Sequence, residues 1–219
     1  MTAFHAAARH LALHAAGKLA RMKWRHHGLG MLQAEFDEEL RIHLWYPGLR
    51  VLPRGLREVH DHHFDLESTI IVGSIIDTQY DVIEVADHSG PFDAQSGWMK
   101  TECWAIKHAK IQGQGESKGC STATDTSLIG KAWTRVKSEI IHCAGTSYRI
   151  ANRQFHSTRV TDLAITIVYR SNFDDHLARV LGDASDARSL IIPDEGVAEK
   201  ALRNHVIGLA DDALCELMP

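Results

Sequence analysis

From Glu39 onward the chain is written in alternation. Leu40, Ile42 and Leu44 fall on one side of an extended strand and Arg41, His43 and Trp45 on the other, before Pro47 and Gly48 turn the chain. A period of two does not suit a helix, whose apolar stripe recurs every three or four residues. Further β-prone segments follow. Thr69 to Val85 is rich in isoleucine, valine and tyrosine, with Gly73 in the middle and Asp77 and Thr78 breaking the apolar run, which predicts a hairpin-like pair of strands. Trp98 to Ile111, Val136 to His142 and Asp162 to Tyr169 complete the set. Between them Asp87 to Gly97 and Gln112 to Gly130 read as loops rich in Gly, Ser, Thr and Asp, the second long enough to act as a lid.

Only the ends carry helical spacing. Ala6 to Met22 sets Leu11, Leu13, Ala16, Leu19 and Ala20 among strong helix formers, and His26, His27 and Gly28 end the segment. Glu195 to Leu217, behind Pro193 and Asp194, places Val197, Leu202, Val206, Leu209, Leu214 and Leu217 at the same intervals. Both stripes need cover, so both helices are expected to pack outside the β structure and to supply no metal ligand.

Composition narrows the function classes. The 219 residues carry a formal net charge of -4, so no global positive field gathers phosphates and no nucleic-acid partner is expected. No stretch approaches the roughly 18 uninterrupted apolar residues of a membrane span. The first 34 residues hold Arg9, Lys18, Arg21, Lys23 and Arg25 without an acid, but they also lack the serines of a transit peptide, so a packing helix and a cytoplasmic location are expected. Cys103, Cys120, Cys143 and Cys215 show no CxxC spacing and read as reduced thiols.

The densest chemical signal is Gly55-Leu-Arg57-Glu58-Val-His60-Asp61-His62-His63-Phe-Asp65-Leu-Glu67. Alternate residues of a strand share a face, so His60 and His62 present two imidazoles to one ion, and a carboxylate a few residues on can join them. Two neutral imidazoles and a carboxylate with open positions suit iron(II) oxygen chemistry, while manganese, nickel or zinc occupy similar sites.

This stretch resembles the first motif of the cupin superfamily, which runs G, five residues, HxH, three or four residues, E, six residues, G. Here Gly55 is followed by four residues, His60-Asp61-His62, four residues, Glu67, five residues and Gly73. The second motif of that family, G, five residues, P, x, G, two residues, H, three residues, N, is matched at Gly145 and His156. Ala151 and Arg153 stand where the proline and glycine would be, and Val160 where the asparagine would be. The resemblance covers Glu39 to Arg170. It implies a mainly β, jelly-roll barrel holding one divalent metal inside on His60, His62, Glu67 and His156, with iron(II) foremost. It leaves the two terminal helices unexplained; the chain length fits a single domain over 1–219, with a helical segment at 1–38, the barrel at 39–170 and a C-terminal extension with its helix at 171–219. Many members of the family pair as homodimers.

The activity implied is that of a metal-dependent oxygenase on a small polar molecule, loosely similar to the cysteine-dioxygenase-like members. Thiol dioxygenases of that group use three histidines, so a Glu67 ligand counts against their strict chemistry. The four-residue gap could instead turn Glu67 outward and leave a three-histidine site with Asp65 or water nearby. The alternatives are a Lewis-acid isomerase, lyase or hydrolase on a small polar or sugar-like substrate, or a non-catalytic small-molecule-binding barrel. Arg57 and Tyr148 are the candidate catalytic side chains. Arg57, or Arg41 or Arg50 beside it, could clamp a substrate carboxylate or phosphate, the alternative being a surface ion pair. Tyr148 or Tyr80 could bring a hydroxyl to the metal or serve as a plain strand aromatic. His63 alternates away from His62, and His26, His27, His88, His108, His142, His176 and His205 lack partner spacing.

Overall fold

A computed structural model of the chain describes residues 3–27, 29–50, 56–87, 96–110, 122–182, 190–191 and 197–218. Helix α1 (Ala3–Ala15) leads through a short 3-10 turn at Leu19–Arg21 into strands β1 (Arg25–His27), β2 (Leu29–Glu35) and β3 (Leu40–Arg50). Then come β4 (Leu56–His60), β5 (Asp65–Val72), β6 (Ser74–Val85), β7 (Met99–Lys110) and β8 (Thr122–Cys143). Strands β9 (Ser147–Ile150), β10 (His156–Arg159), β11 (Ala164–Ser171), β12 (Arg179–Gly182) and β13 (Leu190–Ile191) precede helix α2 (Val197–Cys215).

The strands form two antiparallel sheets. The first runs β1-β2-β3-β11-β5-β9, and the second runs β13-β8-β6-β10-β4-β12-β7. Because β7 pairs with β8 as well as with β12, the second sheet closes into a barrel of six strands. This is a mainly β barrel fold with a helix at each end, consistent with a cupin-type jelly roll.

Both helices lie on one face of the first sheet. Ala8, Ala12, Ala15 and Leu19 from the N-terminal segment and Val206, Ile207, Ala210 and Leu214 from α2 pack on Leu32, Ala34, Ile42, Leu44, Ile71, Ile165 and Ile167. The apolar side of β3 thus faces the helices. Its polar side, Arg41, His43 and Trp45, faces the space between the sheets, where the Trp45 indole donates to the Thr166 hydroxyl at 3.2 Å.

Several elements differ from the sequence reading. Residues 25–27 and 29–35, expected in the helical segment, are strands β1 and β2, and α1 ends at Ala15. In β2 Met31, Leu32, Gln33 and Ala34 are all buried, so the strand shows no alternation by which to find it. Strand β3 runs through Pro47 and Gly48 to Arg50. The expected hairpin at Thr69 to Val85 is not one, since β5 and β6 belong to different sheets and the chain crosses between them at Gly73. Thr122 to Gly130, expected within a lid, is strand, paired with β7 from Thr122 opposite Lys110. The rest of that loop, Cys120 and residues 88–95 lie outside the described residues. Cys103, Cys143 and Cys215 are free thiols, and no described helix is long and apolar enough to cross a membrane.

Gly73 is the pivot of the crossing. Its φ of +74° lies in the left-handed region, and a Cβ there would stand 2.2 Å from the Leu163 carbonyl oxygen. Gly73→Ala is therefore expected to destabilise the protein by at least about 2 kcal/mol, read as a lowered denaturant midpoint at unchanged slope.

Candidate metal centre

Strands β4 and β10 are antiparallel neighbours, and His60 and His156 are direct register partners across them. Cross-strand partners share a face, which brings the two rings to 4.6 Å between centroids. His62 follows two residues after His60 and returns to the same side, 4.9 Å from His60 and 5.1 Å from His156 by centroid. Asp61 between them turns the other way and is pinned there: its carboxylate accepts from the Arg179 backbone N–H at 2.6 Å and from the Arg179 Nε at 2.7 Å. The Arg153 N–H donates to the His62 carbonyl at 3.0 Å, tying the two motif-bearing loops together. Arg153 stands where the family pattern has glycine and takes the conformation that favours glycine, with φ 66°.

One ring nitrogen from each of His60, His62 and His156 lies within 4.8 Å of the other two, and His62 Nε2 is 3.0 Å from His156 Nε2. Two nitrogens at about 2.1 Å from one ion are separated by roughly 3 to 4 Å, so the trio needs little adjustment to share one. Hydrogen bonds fix two tautomers. His60 Nδ1–H donates to the Glu58 carbonyl at 2.8 Å, and His156 Nδ1–H donates to the Asp77 carboxylate at 2.9 Å, which leaves Nε2 of both rings unprotonated, that of His156 facing His62 Nε2. Burial, aided by His156, pushes the His60 pKa well below its ordinary value. Burial, then His60 and His156, does the same for His62. Neutral imidazole is the form that binds a metal. The residues present fit a divalent ion of the nitrogen-binding kind.

Glu67 does not join this group. It is register partner of Tyr169 and Arg149, and Tyr169 meets Phe4 of the N-terminal helix at 5.9 Å, so Glu67 lies on the helix-covered side of β5. The physical reason is parity. Phe64, Leu66 and Ser68 occupy the inner side, and Phe64 stacks on His62 at 4.9 Å, so the odd-numbered residues of β5 point away. Asp65 shares that outward side and pairs with Arg149 at 2.5 Å. Tyr148 is on the inner side, as register partner of Ser68. Its hydroxyl lies against Ser68 and Thr158, burial raises its pKa, and its ring stacks on His142 at 4.3 Å. The Arg57 side chain lies outside the described residues. Arg50 pairs with Glu58, and Tyr80 bonds Ser157 at 3.2 Å on the side of β10 opposite to His156. The helices add no ligand to the trio.

Sequence reasoning missed Asp77, read there only as a break in an apolar run, and His43, read as part of a strand's polar side. Asp77 is 1% exposed and β6 sets it beside His156 through the pairing of Asp77 with Thr158. A carboxylate in the middle of a β-prone run is the signal that could have found it.

No family model and no curated protein matches this sequence. Among solved structures the chain is similar to hydroquinone 1,2-dioxygenase from Sphingomonas sp. TTNP3 with 4-hydroxybenzoate bound, at 11% sequence identity and TM-score 0.29. That match covers 61% of this chain and 60% of the other, so less than two thirds of its length. A likeness of that size carries no argument about reaction or substrate.

Two outcomes are expected here. Asp77→Asn should weaken metal binding on the order of tenfold or more in a chelator competition, because the ring of His156 loses its anionic anchor. His43 sets a pH dependence: burial first, then Arg41, Arg170 and Arg25, hold its pKa down at about 3. Unfolded, it titrates near its ordinary value of about 6.5. Below that pH the unfolded chain takes up a proton that folded His43 refuses, so stability falls as pH drops from about 6.5 to about 3. His43→Gln should flatten that fall by up to about tenfold in the folding equilibrium per pH unit, measured as denaturant midpoint against pH.

Proposed function

We propose that the chain is a metal-dependent oxygenase in which His60, His62 and His156 hold one divalent ion, iron(II) foremost, and a small molecule reacts beside it between the two sheets. One observation carries this reading: three imidazoles from two adjacent strands and the turn after one of them converge within 4.8 Å between the sheets. A metal on three protein ligands keeps open positions, and iron(II) there supplies the redox chemistry that binds and activates dioxygen. The chain's own part is orientation. The Glu58 carbonyl and Asp77 carboxylate set the direction in which Nε2 of His60 and His156 point, and Asp61 with Arg179 fixes the strand end that carries His62. Phe64 covers one face of the His62 ring and limits access of water. With Glu67 on the helix-covered side, the ligand set of this proposal is three histidines, the set that the resemblance associates with thiol-dioxygenase-like members. The cytoplasmic location and a homodimeric state belong to the same proposal.

Protein purified without chelator should carry about one equivalent of metal by elemental analysis. His60→Ala and His156→Ala should lose nearly all of it, whereas Glu67→Gln should retain it. If Glu67→Gln empties the site, the three-histidine assignment is wrong. Iron-loaded protein that turns over a substrate without consuming oxygen would move the reading to the Lewis-acid alternative. Full stability with no metal in any preparation would leave a ligand-binding barrel.

A further inference from the structure

The wall that faces the histidine trio from the first sheet is basic, although the chain as a whole carries a net charge of -4. On β3 Arg41 and His43 point inward, with Gln33 and Glu35 of β2 as their register partners, Arg25 of β1 opposite Gln33, and Thr166 of β11 opposite His43. Arg170 of β11 shares this side as partner of Leu66. The Gln33 amide, with its oxygen turned to the guanidiniums, accepts from Arg25 at 2.6 Å and from Arg41 at 3.1 Å.

The charges here are unevenly placed, with the carboxylates on one side only. Three guanidiniums gather around His43, and every charged neighbour that acts on it is an arginine. The carboxylates near them sit at the rim: Glu35, paired with Arg41 at 2.8 Å, has its side chain 52% exposed, and Asp37 and Glu38 are exposed on the turn after β2. Deeper in, hydrogen-bonding atoms are left over. Among the described residues His43 Nε2, Arg41 Nε and Arg170 Nε are buried without a partner, although Arg170 Nη2 donates to the Glu38 carbonyl; His43 is 6% and Arg170 is 9% exposed. Buried like charges with unused donors are costly unless an anion meets them.

The cluster adjoins the trio. The Arg170 guanidinium lies 5.3 Å over the ring of Phe64, whose ring stacks on His62, and His43 is among the groups whose charge bears on His62. The rest of the wall is apolar and aromatic, with Trp45 at 5.9 Å from His43, Met31, Ile70 and Val168.

We infer that Arg41, Arg170 and His43, supported by Arg25 and Gln33, form an anion subsite beside the metal position that takes the carboxylate of a small organic acid with an apolar body. Two guanidiniums offer paired N–H donors that match a carboxylate, and the apolar wall fits a carbon skeleton better than a bare oxyanion. The inference deepens the oxygenase reading by naming its substrate class, and it rests on that reading for the placement of the substrate against the metal. Binding of the anion itself needs only the arginines.

Calorimetric titration of the whole protein with benzoate, and separately with inorganic phosphate, tests this in metal-loaded and chelator-treated samples. Benzoate is expected to bind in both and to raise the melting temperature. Arg41→Gln and Arg170→Gln are each expected to weaken benzoate at least tenfold while metal content stays at the wild-type level. Without ligand, Arg170→Gln loses the bond to the Glu38 carbonyl, so benzoate affinity rather than the melting temperature alone is the deciding readout. A purely structural arginine would lower the melting temperature and leave benzoate binding unchanged in whatever folds, and that overturns the proposal. If Arg41→Gln fails to fold, Arg41→Lys takes its place, with retained charge and lost pairing geometry weakening benzoate. Wild type that binds neither probe at millimolar concentration also overturns it, whatever its metal content. Phosphate binding without benzoate binding overturns the carboxylate assignment. His60→Ala that loses metal and still binds benzoate supports the subsite independently of the metal reading.

Discussion

The pairing of His60 with His156 across β4 and β10 is the contact on which the proposed chemistry depends. Two residues nearly a hundred positions apart become neighbours because two short antiparallel strands choose this register and no other. A slip of one residue between them would leave the two imidazoles on opposite sides of the sheet, one of them against the apolar cluster of Val59, Phe155 and Leu181. The register is held from both flanks. Asp61 is locked to Arg179 of β12 on one side, and Asp77 of β6 accepts a hydrogen bond from the Nδ1–H of His156 on the other. The buried Asp61 carboxyl has its pKa raised by burial, which Arg179 opposes, so this pair serves placement of the strand rather than net stability.

A second constraint is the direction in which the first sheet faces. Its aliphatic side is covered by both helices, and this leaves the polar side of β3, with its arginine, histidine and tryptophan, pointing into the molecule. In a half-solvated sheet the same pattern would put those residues in water. Here it lines the space next to the trio with charge. The terminal helices therefore contribute no ligand, yet they decide the chemistry of the interior by deciding which face of the sheet is the inside.

Gly73 links the two constraints. The strand before it belongs to the helix-covered sheet and the strand after it to the closed barrel, so the chain must change sheets within one residue while its backbone passes close to Leu163. Only a residue without a Cβ fits that approach at positive φ. Asp77, four residues on, then reaches His156 from the second sheet. The first glycine of the second motif, Gly145, likewise takes a positive φ of +85° at the turn between β8 and β9.

The sequence by itself determined the class of fold, the helices at both ends and the three histidines, because these rest on local periodicity and on the spacing of residue types along a strand. It also carried the alternation of β3 and the glycine at the sheet crossing. It could not decide on which side Glu67 falls. That depends on whether Phe64 and Leu66 turn inward after the break at His62, a matter of packing against β9 and β11. It could not find β2, whose two buried faces erase the alternation, or tell a hairpin from a crossing at Gly73, since both need the same glycine. The partnership of Asp77 with His156, and the inward turn of Arg41, His43 and Arg170, arise only when distant strands pair and helices cover one face. Those are long-range choices, made by burial of whole surfaces rather than by any local pattern of residues.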